Sequence, residues 1–532
     1  MPRFLRRWRP PCPTVALAAL CGAAIVLALL DLMLLYRFSL TRYLPVVEMG
    51  GVAIGIVEIF GDDRRNGSWL LISVVTGQFI AYGLALVTVR WVPDRAGRWV
   101  VYGAPVVFAA LLLDLYPIST VDMFHYLASA RTFWVHGDNP LTVPPMTYPF
   151  PVAMSYGDMP SPYGPLWTLL TLPAARLSEI DPAHVHIGLL GIKGIATISY
   201  LGSMWLVARI VGHLNPDRVL LAVVAFAWNP FIVYRVVGNG GNGLVMMGFV
   251  LLAVFFVVSG RWRWVGPALM AAVLVKYIPL LLVVPLVVYV LRLCRDRADW
   301  RRLVELLQGV VIAAVGAAVI WIPFWDGWRT IAVVEEIEAM FTSTPGALAY
   351  QLPFWGVESS DPGTLARRIT MVLYGVAYLA LLWRLWRGPA DPNRLIAVWY
   401  LTLFLFVAIA APFVFPWYFL WFVVLGPPLP GGGYLLLTAI ASYTVSLVDP
   451  LWAYVEYVPW VQEGFGRMVA APVVLQFVPA GLCLLALLVR YRSLLLGGAS
   501  MISAPLVPAG RYRPVPLFTH PAVKPSMSDE GQ

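Results

Sequence analysis

Long apolar stretches recur from one end of this chain to the other, and no other feature restricts its fold as strongly. The first covers residues 14–36, which is long enough to cross the roughly 30 Å hydrocarbon core of a bilayer as a helix. The pattern predicts an all-α, polytopic transmembrane helical bundle of about 13–15 membrane segments. A soluble fold is excluded, because 60% of the 532 residues are hydrophobic and only 12% are charged.

The N-terminal stretch also raises the alternative of a signal peptide, because four arginines precede it within residues 3–9. The apolar run is too long for the core of a signal peptide and has no small-residue cleavage site. We therefore expect a retained membrane helix whose N-terminus is cytoplasmic.

Basic residues at the ends of the apolar stretches predict the orientation. Arg95 and Arg98, and also Arg490 and Arg492, favour the cytoplasm, which puts segment 117–163 on the extracytoplasmic side and the C-terminus in the cytoplasm. With both termini in the cytoplasm, the number of membrane crossings must be even, whereas the chain has fifteen apolar stretches. We therefore expect the short stretch 164–178 to stop part-way. Residues 1–492 are predicted to form one transmembrane domain. Residues 493–532, rich in Pro, Ser and Gly, are predicted to be a disordered cytoplasmic tail.

Charge and cysteine content exclude two further classes of protein. The formal net charge of +9 comes from arginines and lysines scattered at helix ends, which fits membrane topology and not nucleic-acid binding. The four cysteines have no paired spacing, so neither a disulfide framework nor a zinc site is indicated.

Segment 117–163 is a long first extracytoplasmic loop that carries much of the chain's polar chemistry. Over residues 119–135 the periodicity predicts a helix with Asp122, Tyr126 and Ser129 on one face, lying at the membrane surface. Ser119-x-x-Asp122 also fits a capping box, in which Asp122 would only favour a helix N-terminus.

The order Asp122, Tyr126, Arg131 and then Gly-x-Asn-Pro resembles the first outer loop of the GT-C superfamily of integral-membrane glycosyltransferases, in particular the bacterial polyprenyl-phosphate-mannose-dependent mannosyltransferases. Residues 228–243, the segment around Lys276, and the sequence FPWYFLW fit the same family in the same order. Asn239 and Asn242 stand where relatives tend to show His and Asp.

The resemblance implies transfer of a hexose, with mannose the leading candidate, from a polyprenyl-phosphate donor to an extracytoplasmic glycan, glycolipid or protein hydroxyl, with inversion. Such chemistry needs a carboxylate that takes the acceptor's proton, and Asp122 is the candidate general base. It also needs cations around the departing phosphate. Lys276, predicted at the extracytoplasmic tip of a helical hairpin, and Arg131 are the candidates. An unpaired lysine in hydrocarbon would cost about 2.5–3.5 kcal/mol. Lys276 could instead snorkel to an interface.

Further polar and aromatic residues are candidates for the sugar site by hydrogen bonding and ring stacking. They are Asp114, Tyr126, Asn139, Tyr163, Asn239, Asn242, Trp417 and Tyr418. The last two could equally belong to an aromatic belt. No cofactor is certain; a divalent cation is left open, and its ligands are unknown. The expected partners are the lipid donor, a glycan or lipid acceptor and membrane lipids, with no nucleic acid, in a prokaryotic plasma membrane.

Two other functions stay open at this stage. A transporter or flippase of lipid-linked sugars is the main alternative, although the absence of an internal repeat disfavours a transporter built from duplicated halves. An assembly factor or inactive relative that only binds lipid-linked sugar is the third.

Overall fold

The computed structural model describes residues 12–92, 94–154, 156–297, 300–327, 329–332, 342–357, 359–455 and 465–490. The arginines at residues 3–9 and the predicted tail 493–532 lie outside the described residues. Met1–Ala486 forms one compact unit, and Leu487–Gln532 is a separate unit of which only residues 487–490 are described.

The described part of the chain is helical and contains no β-strand, apart from single bridges between Ser39 and Leu115 and between Val52 and Ala153. Its α-helices are α1 Pro13–Arg37, α2 Leu40–Gly50, α3 Ile56–Phe60, α4 Arg64–Thr88, α5 Asp94–Leu112, α6 Asp122–Trp134, α7 Pro165–Leu170, α8 Leu172–Ser178, α9 His186–Leu214, α10 Val219–Ala227, α11 Pro230–Val233, α12 Gly243–Val258, α13 Val265–Val275, α14 Val283–Arg297, α15 Arg301–Trp321, α16 Arg329–Ala332, α17 Thr344–Gln351, α18 Pro362–Arg387, α19 Pro392–Leu405, α20 Leu420–Val423, α21 Gly432–Ser446, α22 Val448–Val455 and α23 Phe465–Arg490. The predicted all-α polytopic bundle is confirmed.

Within the described ranges, eight helical segments are long and apolar enough to cross a membrane. They are Pro13–Arg37, Glu58–Trp91, His186–Leu214, Ile278–Asp296, Arg301–Phe324, Pro362–Arg387, Pro392–Ala410 and Gly432–Ala453. A ninth is the pair Pro216–Ala227 and Pro230–Gly238, bent by 52°. Three apolar helices are shorter: Gly243–Val258, Trp262–Val275 and Gln476–Ala486.

The predicted segment 164–178 is two short helices, α7 and α8, interrupted at Thr171. They contain six and seven residues. At about 1.5 Å per residue, neither helix can cross a hydrocarbon core.

Helix composition decides which helices lie inside the bundle. The sequences of α10 and α12 are apolar all round, and most of their side chains are buried. Helices α15 and α18 instead expose rows of Val, Leu and Ile, as expected for surfaces that face lipid. In the interior, α12 packs between α9 and α13, while α1 packs against α4 and α5.

A buried lysine on α9 joins three separate parts of the chain. Lys193 is fully buried, and its ammonium donates hydrogen bonds to the carbonyls of Leu112 at 3.1 Å, Leu115 at 2.5 Å and Gly238 at 2.6 Å. These carbonyls belong to the end of α5, the segment that leads into α6 and the segment that leads into α12. Lys193 therefore fixes the approach to both helices.

Three helical paths break inside the protein. After α11 the chain makes a π-helical turn, Tyr234–Gly238, and a loop that contains Gly240 at φ +66°, a conformation that favours glycine. Helix α13 ends at Val275, and Lys276 is extended. A second π-helical turn, Phe406–Ala410, leads to the 3-10 helix Pro416–Phe419. Each break supplies residues to the site described next.

Candidate active site

Helix α6 begins at Asp122, three residues after the predicted start. No side chain caps it: Ser119 Oγ is hydrogen-bonded to the Tyr234 hydroxyl at 2.7 Å, and Thr120 Oγ1 accepts from the backbone N–H of Asp122 at 3.2 Å. The capping-box interpretation is therefore wrong. Residues 123–130 are buried, so the helix predicted at the membrane surface is covered by protein, while Asp122 itself is half-buried.

Four polar side chains meet at the start of this helix. The Tyr126 hydroxyl lies 3.4 Å from Asp122 Oδ2 and 3.3 Å from Asn242 Oδ1, and the Tyr163 hydroxyl donates to it at 3.4 Å. The two tyrosine rings meet edge to face, with centroids 5.1 Å apart. Burial raises the pKa of both phenols well above the usual value, so both hydroxyls stay protonated and can donate.

Lys276 reaches the same cluster from the break after α13. Its Nζ atom lies 4.9 Å from the centre of the Tyr163 ring, a cation–π distance. Only 9% of Lys276 is exposed, so it does not extend to a water interface as a snorkelling lysine would. Burial lowers its pKa to about 8, an effect partly opposed by the negative charge of Asp122. The candidate base and the candidate phosphate ligand are thus connected through two tyrosines, Asp122 to Tyr126 and Lys276 to Tyr163.

The segment before α7 is held against the end of α13. The Gly164 N–H donates to the Val275 carbonyl at 3.0 Å, and a Cβ atom at position 164 would lie 2.2 Å from the Leu274 carbonyl oxygen. Only glycine permits this approach without a backbone shift. The contact fixes Tyr163 beside Lys276.

A small pocket with about 270 Å³ of empty space opens beside Asp122. Its wall consists of Thr120, Asp122, Tyr126, Arg235, Gly241, Asn242, Gly243, Trp417 and Leu420. Trp417 stacks on Phe415 with centroids 4.5 Å apart, and Tyr418 stacks on Trp421 at 4.2 Å. Trp417 and the Asp122 carboxylate therefore border one cavity. A tryptophan that belonged only to an aromatic belt would not need to line a cavity.

Two comparisons with known proteins agree with this arrangement. Residues 46–292 match a family model described as alpha-(1->6)-mannopyranosyltransferase, N-terminal domain. Alpha-(1->6)-mannopyranosyltransferase A of Mycobacterium tuberculosis is 23% identical over 420 residues, which are 72% of this chain and 78% of that protein. The predicted resemblance to mannosyltransferases is confirmed. The matched family range includes Asp122, Tyr163 and Lys276. The comparisons support a membrane glycosyltransferase of the α-mannosyltransferase class.

Three predicted site residues of this α-mannosyltransferase-like chain contact other parts of the protein. Arg131 forms an ion pair with Glu179 at 2.9 Å and donates to Ser178 Oγ at 3.1 Å. It lies nine residues after Asp122 on α6, or roughly 13 Å along the helix axis. Its predicted role as a phosphate ligand stays a prediction.

Asp114 and Asn139 also have structural partners. Asp114 accepts from the Thr41 hydroxyl at 2.9 Å and lies 3.9 Å from His186 Nε2. Asn139 donates to the Phe324 carbonyl at 2.7 Å. Both tie the loop to neighbouring segments, and neither borders the pocket beside Asp122.

Asn239 and Asn242 flank the double glycine of the loop before α12, and both are buried. Asn242 faces the Tyr126 hydroxyl, and its Nδ2 atom has no hydrogen-bond partner among the residues that the structure describes. The backbone N–H of Asn239 donates to the Tyr234 carbonyl at 2.9 Å, which ends the π-helical turn.

Sequence reasoning missed Arg235. This arginine is 2% exposed and contributes to the wall of the Asp122 pocket. The available signal was an arginine inside the apolar run FIVYRVV, where the charge needs a partner or a ligand.

A metal centre has no ready ligand set in the described ranges, where no three His, Cys, Asp or Glu side chains are grouped to hold an ion. Asp138 is exposed and hydrogen-bonded to the Tyr148 hydroxyl, and Asp122 is the carboxylate in the pocket wall.

Proposed function

We propose that this protein transfers mannose from a polyprenyl-phosphate donor to a hydroxyl of an extracytoplasmic glycan, glycolipid or protein, with inversion and with Asp122 as the general base. The observation that carries the proposal is the cluster in which Asp122 and Lys276 contact, through Tyr126 and Tyr163, one connected set of side chains. A proton acceptor and a cation are needed together in such a reaction.

In this reaction Asp122 and Lys276 have different tasks. The acceptor oxygen attacks the anomeric carbon as its proton passes to Asp122. The bond from that carbon to the phosphate oxygen breaks, and its electron pair leaves with the lipid phosphate. Lys276 offsets the charge that develops there, in surroundings poor in water where such an interaction is strong.

The sugar itself has two candidate contacts in the pocket. The ring of Trp417 offers an apolar face on which a hexose can stack. The Nδ2 atom of Asn242 is buried and needs an acceptor, which a sugar hydroxyl would supply.

The similarity to the M. tuberculosis protein, whose name specifies an alpha-(1->6) linkage, extends the proposal to the product. Inversion that yields an α-linked mannose requires a β-linked donor phosphate. The matching prediction is that β-linked polyprenyl-phosphate-mannose is a substrate and its α anomer is not.

The direct test measures transfer of radiolabelled mannose from polyprenyl-phosphate-mannose in membranes, with the parent chain and Asp122→Asn. Loss of the base is expected to lower the rate about 10²- to 10⁴-fold. The matched control is Asp138→Asn, which removes an exposed carboxylate of the same loop that is bound to Tyr148. It is expected to stay within about threefold of the parent.

Equal transfer by the parent and Asp122→Asn would remove Asp122 from the mechanism. Absence of transfer in the parent, together with movement of the labelled lipid across vesicle membranes, would favour the flippase. The side of the membrane is tested separately with single cysteines at 138 and 296 and an impermeant reagent. Labelling in intact cells is expected at 138 only.

A further inference from the structure

Arg235 is a buried cation that the chemistry above does not use. It lies in the π-helical turn Tyr234–Gly238, and its Nη2 atom is 2.5 Å from Asp449 Oδ2 on α22. Its guanidinium carbon is 5.9 Å from the centre of the Phe231 ring and 5.7 Å from that of Tyr234. Because a guanidinium stays protonated in proteins, this position carries a permanent positive charge.

Asp449 balances this charge but accepts a hydrogen bond from only one guanidinium nitrogen, Nη2. The Nε and Nη1 atoms of Arg235 are buried and have no hydrogen-bond partner among the described residues. Burying a donor without an acceptor is destabilising, and more so in a charged group. Such an arrangement is therefore typical of a site that a ligand completes.

The position of Arg235 indicates which ligand this is. Arg235 lines the same pocket as Asp122, Asn242 and Trp417. The loop turns back closely on the Arg235 backbone, since a Cβ atom at Gly241 would lie 2.7 Å from the Arg235 carbonyl oxygen. A planar fork of N–H groups matches an anion with several oxygens, such as a carboxylate or a phosphate, and the anionic group of a lipid-phosphate donor is a phosphate.

We propose that Arg235, held in place by Asp449, binds the phosphate of the lipid donor as a second cation beside Lys276. This inference rests on the proposed function, because it assumes a phosphate-linked lipid in the pocket. Arg235 would contact the substrate directly, and Asp449 would be a positioning residue.

The test measures binding to the full-length protein in lipid nanodiscs, followed by tryptophan fluorescence, with three probes: polyprenyl phosphate, polyprenol and inorganic phosphate. The variants are Arg235→Gln, Arg235→Lys and Asp449→Asn. The matched control is Arg218→Gln, which changes a half-buried arginine bonded to the Leu429 carbonyl and outside the wall of the Asp122 pocket.

Arg235→Gln is expected to weaken polyprenyl phosphate binding about 10- to 100-fold, as for loss of a charge-assisted hydrogen bond, and to leave polyprenol binding within about twofold. Arg235→Lys should retain part of the preference for phosphate over alcohol. Asp449→Asn keeps the cation and should cost less than Arg235→Gln. Inorganic phosphate should bind the parent more weakly than polyprenyl phosphate, as expected for a lipid donor.

Three results would overturn the inference. The first is an equal loss of phosphate and alcohol binding in Arg235→Gln. The second is an Asp449→Asn variant that matches Arg235→Gln in both melting temperature and phosphate preference, since Arg235 would then be only a structural ion-pair partner. The third is equal binding of inorganic phosphate and polyprenyl phosphate by the parent. A parent that neither binds polyprenyl phosphate nor transfers mannose would instead contradict the proposed function.

Discussion

Within the part of the chain that the structure describes, two lysines are buried, and their surroundings differ. Lys193 lies within α9 and donates to three backbone carbonyls. Lys276 lies where α13 ends, and the contact of its ammonium is the face of the Tyr163 ring. Among the residues that the structure describes, Lys276 Nζ takes part in no hydrogen bond or ion pair, and its contact is this cation–π interaction.

The difference separates a structural lysine from one that is suited to a ligand. An ammonium has three N–H donors, and Lys193 gives all of them to the protein. The N–H donors of Lys276 remain available to a ligand, at a site that also contains Asp122. The burial of a lysine therefore does not by itself indicate a functional role in this fold. Whether hydrogen-bond acceptors of the protein surround its ammonium distinguishes the two cases.

The largest expected effect is the loss of stability in Lys193→Met. The substitution leaves the buried carbonyls of Leu115 and Gly238 without donors, at about 1–3 kcal/mol each, and removes one of the two hydrogen bonds to the Leu112 carbonyl, which still accepts from the Leu115 N–H. Roughly 3 kcal/mol or more should therefore be lost. Thermal unfolding of the purified protein in detergent measures it. Ser199→Ala on the same helix is the control, with a change within about 1 kcal/mol. An unchanged melting temperature in Lys193→Met would show that the three hydrogen bonds do not hold the fold.

The second prediction concerns Lys276→Met, which keeps a long side chain against Tyr163 but removes the charge. Transfer from polyprenyl-phosphate-mannose is expected to fall about 100-fold, or roughly 2.7 kcal/mol of transition-state stabilisation. The melting temperature should stay near that of the parent. If Lys276→Met lost as much stability as Lys193→Met, the distinction between the two lysines would fail.

The third prediction is a pH dependence that follows from the lowered pKa of Lys276, about 8. Because the protonated form is the one that attracts phosphate, kcat/KM should be retained below pH 8 and should fall about tenfold per unit as the pH rises above it. Lys276→Arg should remain active at higher pH. A parent profile that stays flat to pH 10 would argue against a role for the ammonium.

The smallest expected effect is that of Tyr163→Phe. The ring remains under Lys276, but the hydroxyl that donates to Tyr126 at 3.4 Å is lost. Loss of one neutral hydrogen bond is worth about 1 kcal/mol, or roughly fivefold in rate. Tyr163→Leu removes the ring as well and should lower the rate further. Equal rates for the two variants would show that the cation–π contact contributes nothing.

Local patterns in the sequence predicted part of the site. The spacing of four between Asp122 and Tyr126 places both on one helix face, and the structure joins them by a hydrogen bond. Two apolar segments around Lys276 predicted a chain break there, and α13 does end at Val275. Both predictions need only periodicity and hydropathy over a few turns.

The remaining features depend on partners far away in the chain. Arg131 contacts Ser178 across 47 residues, Lys193 contacts Leu115 across 78, and Arg235 contacts Asp449 across 214. Hydropathy reveals that a charge is buried but not which segment meets it. For the same reason the helix start was misplaced: Ser119 is bonded to Tyr234 and does not cap α6.

The hydrogen bonds of Lys193 also have a mechanical consequence. Its ammonium is hydrogen-bonded to Leu115, in the segment that leads to Asp122, and to Gly238, in the segment that leads to Asn242. If the outer helices tilt as the surrounding bilayer thickens or thins, we expect these two segments to move together. The spacing between Asp122 and Asn242 would then depend little on the elasticity of the membrane.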